Sequence, residues 1–245
     1  MKVISVYGVS KLSGNTTIAE ELALVSQGKG YKTLLVDLDI HNGDVTERLK
    51  INNYPNISDW CEDIYNKSRK TPITNIEYTR AEWAQFIQEH SSGLHVLATN
   101  TDKRLPHYGN IYYEIRIIYN SLKEGDYDVM VVDMSNTPTS FNYFVMEDAD
   151  VPILVVDTFR YNVKSLQHFL WDLEDVHFPV EKLQLLFNRK PSPVEESPEK
   201  VAGELNLPLL GILPEFAEDL AKTVQVKADL NKTLGQIFDK IMSGK

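Results

Sequence analysis

The chain lacks most of the features by which common function classes are recognised. One cysteine, Cys61, stands in 245 residues. That excludes an internal disulfide framework and a thiolate metal site, and it fits a reducing compartment. Cys61 reads as a buried small apolar residue or an inert surface thiol. No stretch approaches the ~18 consecutive apolar residues of a membrane helix. Residue 2 already opens a strand pattern, where a leader would show a basic start and an apolar run. A soluble, cytoplasmic protein is expected, with membrane contact only indirect. Positive charge is scarce: 25 Lys and Arg against 35 Asp and Glu give a formal charge of −10. A negative envelope repels the phosphate backbone that dominates nucleic-acid affinity, so DNA is not an expected partner. The histidines (His41, His90, His95, His107, His168 and His177) never fall four apart, which argues against a zinc site. Only His41 follows acidic residues toward a candidate site, where it can meet a phosphate. No Gly-x-Ser-x-Gly motif and no Cys/His pairing point to nucleophilic catalysis.

What is present is rhythm. Short β-branched runs at 2–7, 33–37, 94–98, 129–133, 152–157, 183–188 and 209–213 alternate with helical stretches at 16–27, 44–49, 83–89, 110–123, 139–147, 163–175, 198–205, 214–224 and 229–242. This is the pattern of an α/β doubly wound, mostly parallel sheet with helices on both faces. With 42% hydrophobic residues the chain can bury one core, and 1–245 reads as a single domain. Residues 51–92 break the rhythm: they are polar and weakly periodic, and read as a surface excursion whose Lys67–Pro72 segment is a solvated loop. The apolar stripe at Leu230, Leu234, Ile237, Phe238, Ile241 and Met242 lacks a basic opposite face and reads as packed against the sheet. Tyr108, Tyr112, Tyr113 and Tyr119 share one helix at the core boundary.

In an open sheet of this kind ligands bind beyond the carboxyl ends of the strands. The first strand runs into a small-residue loop, 8–17, that feeds a helix, and such a loop offers backbone N–H groups and the positive helix end to a phosphate. Ser13, Gly14, Asn15, Thr16 and Thr17 are the candidate phosphate contacts. A Walker loop has lysine directly after its last glycine, where this chain has Asn15, a donor without charge. Lys11 lies four residues earlier. By itself the loop serves equally as a structural turn with a Thr cap. Leu12, bulky and apolar, is awkward inside a phosphate cradle. Asp37 and Asp39 leave the second strand on one face, and Asp133 ends another apolar strand. Such carboxylates hold Mg²⁺ or orient a water, or else serve as caps and loop acceptors.

Taken in order, the loop, Asp37 and Asp39, Asp133, and Asn188 with Arg189 resemble the MinD/ParA deviant-Walker ATPases along nearly the whole chain. The 41–49 segment with Gly43, Asp44 and Val45, together with 92–98, 147–155 and 186–189, is similar to the CpaE/TadZ branch associated with Tad (Flp) pilus assembly. The resemblance implies ATP/ADP and Mg²⁺ as cofactors. Thr16, Asp37 and Asp133 would lie at the metal, Asp37 and Asp39 at the attacking water. Asn188, Arg189 and the backbone at Pro214 would lie at the base. It also implies a nucleotide-dependent homodimer and protein partners in a pilus, secretion or localisation system. The signature lysine of the family falls on Lys11 with a loop one residue shorter, or its place is taken by Ser10, so hydrolysis is expected to be slow or absent. The rival reading is a nucleotide-free scaffold acting through protein contacts alone. A ligase-like enzyme of the same fold would need a substrate pocket that nothing in the sequence specifies.

Overall fold

The computed structural model describes residues 1–40, 42–99, 111–189, 191, 195–214 and 224–244. Its centre is an eight-stranded sheet in the order β3-β4-β2-β5-β1-β6-β7-β8. The strands are β1 (Lys2–Gly8), β2 (Thr33–Asp37), β3 (Gln88–Glu89), β4 (His95–Leu97), β5 (Val129–Met134), β6 (Val151–Val156), β7 (Gln184–Phe187) and β8 (Leu209–Ile212). Every neighbouring pair is parallel except β3 with β4. The helices are α1 (Asn15–Gly28), α2 (Val45–Leu49), α3 (Ile57–Ser68), α4 (Arg80–Trp83), α5 (Tyr112–Lys123), α6 (Ser140–Asp148), α7 (Arg160–Asp175), α8 (Pro198–Glu204) and α9 (Val224–Ser243).

The sheet is covered on both faces because its central strands are apolar at every second position on each side. Ile4 and Val6 of β1 pack with Ile18 and Leu22 of α1 and with Leu234 and Phe238 of α9. Val3 and Tyr7 face the opposite layer, which holds Trp60, Ile118, Val145 and Leu166. The C-terminal stripe is therefore core, with Leu230, Leu234, Ile237, Phe238 and Ile241 all buried. No helix among the described residues is long and apolar enough to cross a membrane.

The seven expected strands are present within a residue or two of their ends. The stretch expected as a helix over 83–89 is different: it holds the end of α4, a 3₁₀ turn at Ala84–Phe86, and the short antiparallel edge strand β3. The polar excursion is better built than its composition implied. Asn56 caps α3, accepting from the N–H groups of Ser58 (2.8 Å) and Asp59 (3.3 Å), while Asp59 accepts from the N–H of Asn56 (3.0 Å). The helix buries Ile57, Trp60, Cys61 and Ile64, and Trp60 stacks on Phe86 at 5.1 Å between ring centres. Lys67, read as part of a solvated loop, ends α3 and pairs with Asp63 and Glu82. Tyr112 and Tyr119 take the core boundary on α5, Tyr113 points outward, and Tyr108 lies outside the described residues, as does nearly all of the stretch expected as a helix over 214–224.

The segment read as weakly periodic thus holds a one-face apolar stripe at Ile57, Trp60, Cys61 and Ile64, started by the capping box. Replacing Asn56 with Ala removes a buried cap and is expected to lower stability by about 1–2 kcal/mol, read as a shift in the urea midpoint with unchanged slope.

Candidate functional site

The carboxyl ends of β1, β5 and β2 lie side by side, and the parallel register sets Val6 and Asp37 on either side of Asp133. The loop after β1 closes over this point. Gly14 caps α1 with φ of 85°, and a side chain there would collide with the amide of Asn188. Only glycine meets both demands. The cap makes no side-chain hydrogen bond, so the Thr-capped structural turn is not what forms. The first bond of the α1 ladder runs from the N–H of Ile18 to the carbonyl of Gly14 at 3.0 Å. The N–H groups of Gly14, Asn15, Thr16 and Thr17 find no acceptor among the described residues. Four donors at the positive end of a 14-residue helix form a ready anion seat.

Asn15 does not point out of the loop. Its amide nitrogen donates to Asp133 Oδ1 (3.0 Å) and to the carbonyl of Met134 (2.8 Å), while its oxygen accepts from Ser13 Oγ at 3.2 Å. The residue standing where lysine is usual thus ties the loop to β5. Leu12, with φ of 61°, is fully exposed. It leaves the cradle empty, and the objection its bulk raised against a phosphate disappears. Lys11 is exposed beside it.

Asp37 and Asp133 are both wholly buried. Asp37 Oδ1 accepts from the N–H of Asp39 (2.9 Å) and Oδ2 from the hydroxyl of Thr99 (2.7 Å). Asp133 Oδ2, by contrast, has no hydrogen-bond partner among the described residues. An acceptor that is buried and unsatisfied costs about 1–3 kcal/mol, and more when charged, a cost that a donor or cation brought to this edge would relieve. Burial pushes the Asp37 carboxyl up to about 7, against the opposing hydrogen bonds from Thr99 and Asp39 and with the charge of Asp39 adding to the rise. Burial first, then the neighbouring Asp37, raises Asp133 well above the carboxylate range, with Thr16 and Asn15 opposing. Asp39 is half-exposed and its Oδ1 accepts from the N–H of Asn42 at 3.2 Å.

The other sequence candidates are placed as follows. Thr16 lies beside Asp133. Thr17 accepts from Arg48 at 3.0 Å, and Arg48 also bonds Glu20 at 2.6 Å, so Thr17 is held by α2. Asn188 spends its amide on the carbonyl of Ser13 at 2.6 Å, bracing the loop. Arg189 makes a bidentate pair with Glu195 at 2.7 and 2.9 Å and lies 3.8 Å over the ring of Phe159. Pro214 is half-buried at the end of the strand-edge segment, and the residues that follow it, like His41, lie outside the described residues.

Sequence reasoning missed Thr99 and the packing role of Gly43. A side chain at Gly43 would overlap Thr99 Oγ1 and Asp37 Oδ2, so the turn after β2 is drawn tight onto the acid. The available signal was position: Thr99 is the polar residue two beyond the end of β4, at the sheet edge where Asp37 and Asp133 end or nearly end their own strands. Among the described residues no group of three or more His, Cys, Asp or Glu is arranged as a metal cage. The donor set instead suits an ion bound mostly through water and phosphate oxygens, as Mg²⁺ prefers.

The raised Asp37 value has a signed consequence. The folded chain holds a proton that the unfolded chain releases near 3.8, so this stabilisation is complete below about 4 and is lost as pH rises through about 7. Its ceiling is on the order of 4 kcal/mol. Asp37→Asn is expected to flatten that dependence and to be more stable than the parent at pH 8 in metal-free buffer. Urea titrations at pH 5 and 8 check it, and equal pH slopes for both chains would refute it.

No protein-family model matches this chain, and no curated protein matches it in sequence. Solved structures do match in shape. The MinC:MinD cell division protein complex of Aquifex aeolicus superposes with a TM-score of 0.73 at 17% identity, covering 99% of this chain and 96% of that one. A ParA family ATPase from Chlorobium tepidum TLS gives 0.72 at 14% identity, with 98% and 97% covered. Cobyrinic acid a,c-diamide synthase from Mycobacterium smegmatis, solved with an ATP analogue and magnesium, gives 0.68 at 18% identity, with 100% and 97% covered. The likeness establishes the architecture: an eight-stranded, mostly parallel P-loop NTPase fold of the MinD/ParA type.

Proposed function

We propose that this protein binds ATP and ADP with Mg²⁺ at the carboxyl edge of β1, β5 and β2, hydrolyses ATP slowly or not at all, and works as a spatial organiser. The observation that carries the reading is the pairing of free N–H groups at the start of α1 with the orphaned Asp133 Oδ2 beneath them. One set suits a polyanion, the other the hydrated cation that accompanies it. In this reading Thr16 and Asp133 hold the Mg²⁺ side, with Asp37 behind them. Ser13, Gly14 and Asn15 line the phosphates, and Asn188, Arg189 and Pro214 border the base. Asp39, half-exposed at the turn, orients the attacking water, and Lys11 on the exposed rim reaches the phosphates of its own or a second copy. Bound Mg²⁺ would neutralise charge on the terminal phosphates.

Slow turnover follows from Asn15. Its amide is committed to Asp133 and Met134 and adds no charge where the transferring group gathers it. Loss of one such contact commonly removes about 3–4 kcal/mol of transition-state stabilisation. The resemblance of the 41–49 segment and later strands to the CpaE/TadZ branch supports a homodimer that recruits pilus or secretion components. The scaffold reading draws on the same Asn15, whose bonds hold the loop shut without any nucleotide.

Calorimetric titration with ATP and ADP, with and without Mg²⁺, separates the two. Saturable micromolar binding is expected, weakened about tenfold or more by Asp133→Ala only when Mg²⁺ is present. Light scattering should show mass doubling with ATP. Thermal silence toward both nucleotides would leave the scaffold standing.

A further inference from the structure

Away from the carboxyl edge, the excursion and α5 enclose an open groove of about 680 Å³. One wall is helical: Tyr113, Arg116, Ile117, Asn120 and Glu124 recur at the three- and four-residue spacing that puts side chains on one face. The other wall is the segment through Ile73, Ile76, Glu77, Tyr78 and Thr79. Three properties set this groove apart from ordinary surface.

Its opposite wall is an irregular segment that pairs with no strand of the sheet. Ile76 and Thr79 have extended dihedrals, Ile76 and Tyr78 are buried while Glu77 points out, and the main-chain N–H groups of Glu77 and Tyr78 have no partner among the described residues. Main-chain groups alternate in direction along an extended segment, and the N–H groups of Ile76 and Thr79 are taken by Ile73 and Glu82, so one free N–H on the groove side can meet a peptide carbonyl.

Most of its hydroxyls are hydrogen-bonded, but its charged groups form no ion pair among the described residues. Arg116 rests 5.6 Å over the Phe144 ring, and no ion pair joins Arg116, Glu77 or Glu124 to another described residue. Tyr113 is 49% exposed on the helical rim. Exposed Tyr and Arg around a partly apolar floor are the residues that anchor partners at protein interfaces.

The groove is polarised along its length. Arg116 stands in the first half of α5, whereas Glu124 follows its last turn, where helix carbonyls add negative charge. From Tyr113 to Glu124 the helix rises about 16 Å, the span of about five extended residues.

We propose that this groove docks an extended peptide of about five residues from a partner protein. Its carboxylate meets Arg116, its cationic side chain meets Glu124, and one of its main-chain carbonyls meets the groove-side N–H of the Glu77–Tyr78 pair. The proposal is independent of nucleotide binding.

A phage-displayed heptapeptide library panned on the full chain, with counter-selection on Arg116→Glu, tests it. The expected winners carry Asp or Glu and Lys or Arg separated by an apolar or aromatic stretch. Synthetic copies should bind Arg116→Glu about tenfold or more weakly, and regain affinity when their acid is changed to Lys. Asn120→Trp, which fills the groove, should abolish binding while its thermal melt matches the parent. Failure to enrich any such sequence overturns the proposal, as do winners that bind both variants like the parent. A concentration-dependent mass doubling that Asn120→Trp removes would instead make the groove a contact between two copies of this chain.

Discussion

The carboxyl edge is governed by an electrostatic constraint: Asp37 and Asp133 are neighbours in register, both fully buried, with no basic side chain of the described residues bonded to either. Two carboxylates cannot both stay ionised at close range in a dry interior. The chain answers with neutral donors, from Thr99, Asn15 and the N–H of Asp39. These soften the repulsion less than a charge would. Of the four oxygens of the two acids, one stays unsatisfied, Asp133 Oδ2, beside the loop whose N–H groups are also unclaimed. The acid excess below and the donor excess above are complementary needs, met together by an anion carrying a cation.

The rest of the fold supplies the rigidity for that arrangement. β1, β2, β5 and β6 are buried through almost their whole length, so their ends are fixed by packing on both faces. The loop is braced from below by Asn15 and from the side by Asn188, and the turn after β2 by Gly43 against Thr99. The loop turns sharply because Leu12 and Gly14 both take left-handed backbone within three residues, which glycine adopts freely and leucine does not.

Much of this was legible in the sequence because buried parallel strands write themselves as continuous β-branched runs. The same runs placed Asp37 and Asp133 at strand ends and the loop beside them. What escaped was held together by contacts between distant segments. β3 is two residues long and exists through its pairing with β4. α3 buries Ile57, Trp60, Cys61 and Ile64 on one face, a helical period hidden within a polar segment, and Trp60 meets Phe86 from beyond it. Thr99 and Asp37 are 62 positions apart, and no local pattern announces their bond. Leu12 was misread for a related reason: side-chain direction in a tight loop follows the backbone, which composition does not reveal.

Arg48 gives the edge a mechanical property. Its guanidinium spans from α2 to Glu20 and Thr17 on α1, and Thr46 of the same short helix bonds the carbonyl of Thr99 at 2.8 Å. The short helix is thus a crank pinned at both ends. The turn after β2 therefore cannot shift without straining the first turn of α1 and the exit of β4 together.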